Sequence, residues 1–493
     1  MCGVITRIIG FGDIPIGINV DEAGTMQDAY CIANFGTDRF GNSYPVYMIN
    51  YGGGQSALYT YLAAILIKIF GYSLTVVRIP ALVFSIIYLI FAFLITKDFK
   101  NKKLAIIVEF IAVIVPWHFM QSRWALDCNL MSAMVLASMY VLLKAKSKKG
   151  YVLAGVLFGI SFYTYALSYI IIPIIIVLLI AYMLYIKKIK VLDIVCLFIP
   201  MVLIALPLFI NVLVNMGIIP EIKLSWISFL NLEVFRVNEI NLNQIGYNFI
   251  EMFKCMFGYD YNDFNAFPAF GTLYYISIPV AVVGFVVSIK DIVKNWKNKE
   301  LSLDVVMLIN FIAVFICGIV VEPSVYRINE IFISLIYYVA LGILYVAKEK
   351  KYVLYGIISL YIIMFITFLA YYFGVYGKEN TNRSFNHTTM EAVQYIEDNE
   401  KFDGKTINIR TKAIQPYIYT LIANETSPEE FAENRVMVSS KVFGYGRYVF
   451  FYDYVEQNMV YVMEFNEKLK YELIEEGFTV EEFGEDICIV YKE

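Results

Sequence analysis

YVLAGVLFGISFYTYALSYIIIPIIIVLLIAYMLYI, from Tyr151 to Ile186, is 36 residues without one charged side chain. As a single helix it would measure about 54 Å at 1.5 Å per residue, against a hydrocarbon core of about 30 Å. The run must therefore fold back on itself, and the polar, aromatic centre Tyr163-Thr164-Tyr165-Ala166-Leu167-Ser168-Tyr169 is where a tight turn fits. Two short apolar helices joined there make this a membrane protein rather than a soluble one.

The rest of the chain agrees. Of 493 residues 59% are hydrophobic and 17% charged, against about 45–50% and about 25% in an ordinary soluble domain. The apolar residues gather in blocks, and an uncharged block of about 18 or more reads as a span because lipid offers backbone amides no outside partner. The blocks predict about ten spans, at 75–96, 104–120, 128–144, 150–167, 168–186, 190–216, 272–290, 303–321, 329–347 and 352–375. Residues 57–70 are too short to span and contain Lys68, so they predict an interfacial helix. Before Asp21, Arg7, Asp13 and Pro15 interrupt the chain and no complete span fits.

Lysines cluster at 97–103, 144–149, 187–190, 290–299 and 348–351. Under this span list all five loops fall on one side, which the positive-inside bias makes cytoplasmic. Residues 1–74, the loops 118–127, 217–271 and 322–328, and the tail then face outward. From Lys378 onward there are 22 acidic and 12 basic residues; the remainder holds 21 acidic and 27 basic. A basic membrane domain, residues 1–375, is thus followed by an acidic domain, 376–493. In the latter, helical patterns (Met390 to Asn399, Glu467 to Glu476) alternate with strand-like runs (Thr406 to Ile409, Tyr448 to Tyr452, Val460 to Met463, Ile487 to Tyr491). The fold class is an all-α polytopic membrane protein carrying an extracytoplasmic α/β domain. The basic residues sit in short loops between spans, which argues against nucleic acid.

Seven cysteines show no CxxC spacing. Cys196 and Cys317 lie inside apolar runs and read as small buried hydrophobes, while Cys31, Cys128, Cys255 and Cys488 are placed to face an oxidising side. Two histidines, His118 and His387, argue against a His-built zinc site. Gly52-Gly53-Gly54 follows no strand and reads as a flexible turn, not a phosphate cradle. Tyr163 and Tyr165 read as members of an interfacial aromatic belt.

The outward loops hold the unusual polar residues: Asp21-Glu22, Asp38-Arg39, Arg123 to Asp127, and Glu322 to Arg327. Arg123 and Arg327 are cations on the side the lysines avoid, which points to an anionic ligand. Nucleotide sugars are cytosolic, so a transferase working outside takes its sugar from a polyprenyl phosphate. The phosphate leaves without a general acid. The acceptor hydroxyl must lose a proton, which a carboxylate takes, and arginines hold the departing phosphate through bidentate hydrogen bonds.

INVDEAGTMQDAYCIANFGTDRFGNSYPVYMINYGGGQSALYTYL (Ile18 to Leu62) resembles the first external loop of the GT-C glycosyltransferases, in the branch of protein O-mannosyltransferases and the lipid A aminoarabinose transferase. RIPALVF (Arg78 to Phe84) resembles the start of their second span, SRWALDCNL (Ser122 to Leu130) their second acidic loop, and YRINEIFISLIYYVALGI (Tyr326 to Ile343) a late span with its leading arginine. The resemblance covers roughly residues 10–345 and rests on the order of four individually weak motifs. It implies Asp21 as catalytic base with Glu22 beside it, Asp127 as second acid, and Arg123 and Arg327 at the donor phosphate. It implies an inverting displacement to a protein, lipid or glycan acceptor, and leaves open a divalent metal on Asp21 and Asp127. These relatives have a full first span where this chain has none.

Plainer readings stand beside these. Asp21-Glu22 also reads as a solvated pair, Asp127 as a helix N-cap, Arg123 and Arg327 as interfacial anchors. Asp38-Arg39 reads as a local salt bridge, and Asp260 and Asp263 as solvated loop residues. A transporter or lipid flippase would set ionisable groups at mid-membrane; Glu109, within 104–120, is the main candidate for that. A non-catalytic receptor would need no converging acids and arginines.

Overall fold

The computed structural model describes residues 2–50, 53–234, 239–259, 264–348, 350–380, 382–451 and 458–492. A short helix α1 (Cys2–Ile8) precedes α2 (Val20–Phe35). The side chain of Asn19 caps α2 by accepting the Asp21 N–H, and Asp21 and Glu22 fill the first turn, where the helix dipole favours carboxylates. Next comes an antiparallel hairpin, β1 (Tyr47–Asn50) and β2 (Gly53–Ser56), pairing Tyr47 with Ser56 and Asn50 with Gly53. Gly53 and Gly54 of the expected Gly52-Gly53-Gly54 turn are therefore strand residues, and Gly52 lies outside the described residues. A Cβ on Gly54 would strike the Tyr47 ring and the Met48 carbonyl, so glycine serves close packing here.

The helix α3 (Ala57–Phe70) is the short one expected at 57–70. Then follow α4 (Leu74–Phe99), α5 (Lys102–Ile114), α6 (Pro116–Gln121), α7 (Met131–Lys144), α8 (Lys148–Ser161), α9 (Ser168–Tyr185) and α10 (Val191–Asn215). A small hairpin, β3 (Ile222–Leu224) and β4 (Ile227–Phe229), leads to α11 (Ile245–Phe257), α12 (Ser277–Asn295), α13 (Leu303–Val320), α14 (Phe332–Ala347) and α15 (Lys351–Tyr371). Every expected span corresponds to a helix. Among the described residues, seven helical stretches are long and apolar enough to cross a membrane.

The other three fall short for separate reasons. The 104–120 span breaks at Pro116, which cannot continue α5 and instead starts α6. Helix α8 has 14 residues, about 21 Å. Helix α12 carries Lys290, Asp291 and Lys294 near its end. The 36-residue run divides as its length demands, α8 and α9 being joined by residues 162–167. Tyr165 is buried in the bundle rather than set in an interfacial belt, and Tyr163 donates from its hydroxyl to the Ile204 carbonyl at 2.8 Å.

Helices α12 and α14 approach backbone to backbone: a Cβ on Gly284 would hit the Tyr338 carbonyl, and one on Gly342 the Val280 carbonyl. Such small-residue contacts replace the hydrophobic drive that lipid removes. Four of the lysine loops meet on one face. Lys100 Nζ lies 3.0 Å from Asp291 and 2.7 Å from Asp304, Lys144 lies 2.7 Å from Asp98, and Lys188 donates to the Leu143 carbonyl.

The tail holds α16 (Asn382–Phe385), α17 (His387–Glu397), β5 (Thr406–Arg410), α18 (Tyr417–Ala423), α19 (Pro428–Asn434), β6 (Arg435–Val438), β7 (Lys441–Tyr445), β8 (Tyr448–Phe450), β9 (Met459–Glu464), α20 (Glu467–Glu475), β10 (Thr479–Phe483) and β11 (Ile487–Tyr491). One mixed sheet runs β10-β11-β9-β5-β8-β7-β6, parallel at β9-β5 and β5-β8 and antiparallel elsewhere. Strand alternation splits its faces. Tyr461, Cys488 and Val490 pack with Leu473 of α20. Val460, Val462, Ile487 and Ile489 join α17, α18 and residues of α2, α3 and α4 in a single core. The sheet domain is thereby seated on the first loop. Cys31, Cys128, Cys255 and Cys488 are all buried.

Candidate active site

Asp21 is partly exposed at the head of α2. Asn50, at the end of β1, donates Nδ2–H to Asp21 Oδ1 at 2.7 Å, and Gln55 donates to the Asp21 carbonyl at 3.3 Å. Asn50 is itself held, since its Oδ1 accepts from Arg39 Nη2 at 3.3 Å. Arg39 pairs with Asp28 at 2.9 Å, both buried, and not with Asp38. The Asp38 carboxylate instead turns back on Asn42 and the Phe40 N–H, closing its own loop. Adjacent residues point apart, so the expected Asp38–Arg39 bridge gives way to a cross-loop one.

Glu22 points away from Asp21 into the interior. Arg78 clasps it in a fork, Nε to Oε1 and Nη2 to Oε2, each 2.8 Å, and the Ala125 N–H adds a third bond at 2.7 Å. Both side chains are fully buried. Arg78 also donates to the carbonyls of Gly12, Pro15 and Gly17. Glu22 thus joins the first loop, α4 and the second loop.

Asp127 is buried, and its oxygens accept the N–H groups of Ser56 and Cys128, each at 2.8 Å. It sits where α3 begins, a favourable place for a carboxylate. Asp21 and Asp127 are tied to opposite ends of one hairpin, Asn50 and Ser56, three residues or about 10 Å apart along the strands. Among the described residues no three His, Cys, Asp or Glu side chains gather as metal ligands. The Asp127 carboxylate is engaged by two backbone N–H groups, and that of Asp21 by the Asn50 amide. Asp260 and Asp263 lie outside the described residues.

The two arginines separate. Arg123 is fully buried and donates to the carbonyls of Arg7, Ile9, Gly10 and Ile14, with Phe119, Tyr372 and Phe373 around it at 5.4–5.5 Å. It caps the orphan carbonyls after α1, and neither an interfacial anchor nor a phosphate contact describes that geometry. Arg327 lines a cavity of about 930 Å³ with Lys254, Tyr247, Tyr326 and the apolar wall Ile250, Phe253 and Phe257. Its Nη2 lies 3.3 Å from Glu239 and Nη1 donates to the Glu322 carbonyl. Phe253 and Phe257 also line a second, entirely apolar recess of about 290 Å³ among α11–α14.

Tyr326 links this cavity to Asp21. Burial pushes its hydroxyl pKa up, Arg327 opposes this, and the charge of Asp21 adds to the rise. From the tail, Tyr419 feels Asp21 and Glu22 in the same way, though burial again dominates its upward shift. Its hydroxyl accepts from Asn386 at 2.8 Å, and the Phe385 carbonyl accepts the Ile18 N–H at 2.6 Å. Tyr326 and Arg327 thus line one cavity that the charge of Asp21 reaches, while Glu22 and Asp127 are engaged in the surrounding loops and Arg123 lies elsewhere. Asn50 and Tyr326 carry no signal in the sequence because Asn and Tyr are common in external loops, and Arg39 is legible there only as a partner for Asp38. Glu109, the ionisable residue consistent with a transporter, is half-buried within electrostatic reach of the fully buried Arg7; Arg7 is itself 2.7 Å from His118.

Over 99% of its length the chain superposes on 96% of ArnT from Cupriavidus metallidurans bound to undecaprenyl phosphate, with a TM-score of 0.56 and 10% identity. This is the fold of the GT-C glycosyltransferases. The apo form of the same ArnT gives a TM-score of 0.54 at 9% identity, covering 99% of this chain and 95% of that one. Residues 55–214 match the family described as dolichyl-phosphate-mannose-protein mannosyltransferase. No curated protein matches the sequence. With seven apolar helices and this fold, the chain is a multi-pass membrane protein of GT-C architecture.

Proposed function

We propose that the chain is a membrane glycosyltransferase that moves a sugar from a polyprenyl-phosphate donor to an acceptor hydroxyl at the outer face. Asp21 takes the hydroxyl proton as the acceptor oxygen attacks the anomeric carbon. The C–O bond to phosphate breaks with its electron pair leaving on the phosphate, and the anomeric centre inverts. Arg327 holds the departing phosphate, with Lys254 nearby. The apolar recess shared through Phe253 and Phe257 receives the first isoprene units.

The observation that carries this reading is a cavity with a cationic rim and an apolar wall, whose Tyr326 packs through Phe264 and Phe385 onto the segment that leads into Asp21. A phosphate on a hydrocarbon chain fits such a cavity, and the matching ArnT was solved with undecaprenyl phosphate. Glu22 and Asp127 hold the loops rather than touch substrate, and no step is assigned to a metal. The lysine face is cytoplasmic by the charge bias, which sets Asp21 and the sheet domain outside. Domains 1–375 and 376–493 act together, the second covering the first loop.

The test supplies membranes with labelled polyprenyl-phosphate sugars and follows label into acceptor. Wild type transfers; Asp21→Asn loses about 10²–10⁴-fold in rate, the contribution of a positioned base. Equal transfer by both removes the assignment.

A further inference from the structure

A separate cleft of about 240 Å³ lies on the other side of the Asn50 relay. Three distant segments enclose it: the first loop with Arg39 and Phe40, the segment after α10 with Lys223 and Glu233, and the tail with Tyr417 and Arg435. Three cations face one carboxylate. Arg39 is matched by Asp28 at 2.9 Å and Lys223 by Glu221 at 3.5 Å, while Glu233 is turned onto the Ser439 hydroxyl of the tail. Arg435 makes no ion pair among the described residues. Its guanidinium lies over the rings of Phe40 and Phe431, 5.5 and 5.1 Å from their centroids. Its Nη1 is shielded from solvent without a hydrogen-bond partner.

A buried N–H left unpaired costs free energy. A guanidinium whose face is covered by aromatic rings keeps its donors at the edge, where a planar or tetrahedral oxyanion takes two of them. The cleft is also close to the proposed base. From Arg39 Nη2 through the Asn50 amide to Asp21 Oδ1 the path is 3.3 and 2.7 Å on either side of one amide group, at most about 8 Å in all. Arg39 is thus shared between the lining of the cleft and the relay that holds Asp21.

We propose that this cleft anchors the acceptor by an anionic group, a phosphate or a carboxylate, held by Arg435 and Lys223 so that the acceptor hydroxyl reaches Asp21. The proposal rests on the reading of Asp21 as the base. The tail then contributes to acceptor choice, with Arg435 as a recognition residue outside the membrane bundle.

The experiment measures binding without turnover. Full-length protein in detergent is titrated with inorganic phosphate, glucuronic acid and glucose, the last a neutral control. Wild type binds both anions more tightly than glucose. Arg435→Gln weakens both by about tenfold or more, Lys223→Gln weakens them less, and Arg327→Gln leaves glucuronic acid binding as in wild type. Loss of phosphate binding with glucuronic acid binding kept, in Arg435→Gln, identifies phosphate as the anchor; the reverse identifies carboxylate. Where Arg435→Gln lowers the melting temperature through its lost ring packing, the exposed Lys223→Gln decides. Wild-type affinity for both anions in both variants overturns the proposal, as does binding that responds to Arg327→Gln alone. Asp21→Asn binds both anions normally, so failure here and failure of the base assignment are told apart.

Discussion

Asn50 donates to Asp21 at 2.7 Å while accepting from Arg39 at 3.3 Å, so the proposed base hangs from a relay that ends in the buried Arg39–Asp28 pair. An amide can do both at once because it carries donor and acceptor on one rigid plane. Removing it takes away the hydrogen bond that orients Asp21 Oδ1. Small displacements of a reacting group cost up to about 10²-fold.

Asn50→Ala should therefore lower kcat by about 10- to 100-fold with the donor KM and melting temperature nearly unchanged. Steady-state kinetics on purified protein separate these terms. A raised KM at constant kcat would mean that Asn50 serves binding and not the orientation of Asp21.

Arg123 and Arg327 should behave as opposites. Arg123 donates to four backbone carbonyls beyond α1, and leaving them bare costs about 1–3 kcal/mol each at worst. Arg123→Gln should lower thermal stability while the surviving folded protein keeps its donor KM. Arg327→Gln should raise donor KM about tenfold with stability preserved, the loss of one charge-assisted contact to phosphate. Thermal unfolding and donor titration of the pair give the answer, and reversed phenotypes would exchange the two assignments.

Glu22 and Arg78 form a fork buried on both sides. Truncating one partner leaves a charge in the interior without its counterion, which costs about 3–5 kcal/mol. Glu22→Ala and Arg78→Ala should each unfold at markedly lower temperature, and transfer should fall in proportion to folded protein. Full stability with lost activity would instead place Glu22 in the chemistry beside Asp21.

Much of this architecture could be read from local pattern. The fold-back of residues 151–186 follows from length against membrane thickness, and the lysine loops follow from charge. The acidic tail's helices α17 and α20 and strands β5, β9 and β11 show ordinary periodicity. Strands β6, β7 and β10 do not, because Val436, Val438 and Phe443 are exposed and β10 places Glu481 and Glu482 in its middle. They are edge or near-edge strands whose pairing comes from the neighbours. At the site, residue type named Arg123 and Arg327 alike but could not tell an arginine that lines a cavity from one whose partners are carbonyls more than 100 residues away. Glu22 and Asp127 are acids whose partners, Arg78 and backbone N–H groups, residue type likewise does not reveal. Sequence shows that a buried charge needs a partner, and only the fold says whether that partner is a substrate or the backbone.

The central claim is that Asp21 acts on chemistry at a donor site it does not itself build. The most direct measurement pairs donor binding with single-turnover transfer for Asp21→Asn in reconstituted membranes. Asp21→Asn should keep wild-type affinity for the polyprenyl-phosphate sugar and transfer at a rate reduced by at least about 10². Transfer at the wild-type rate, or donor affinity that collapses together with the rate, would contradict it.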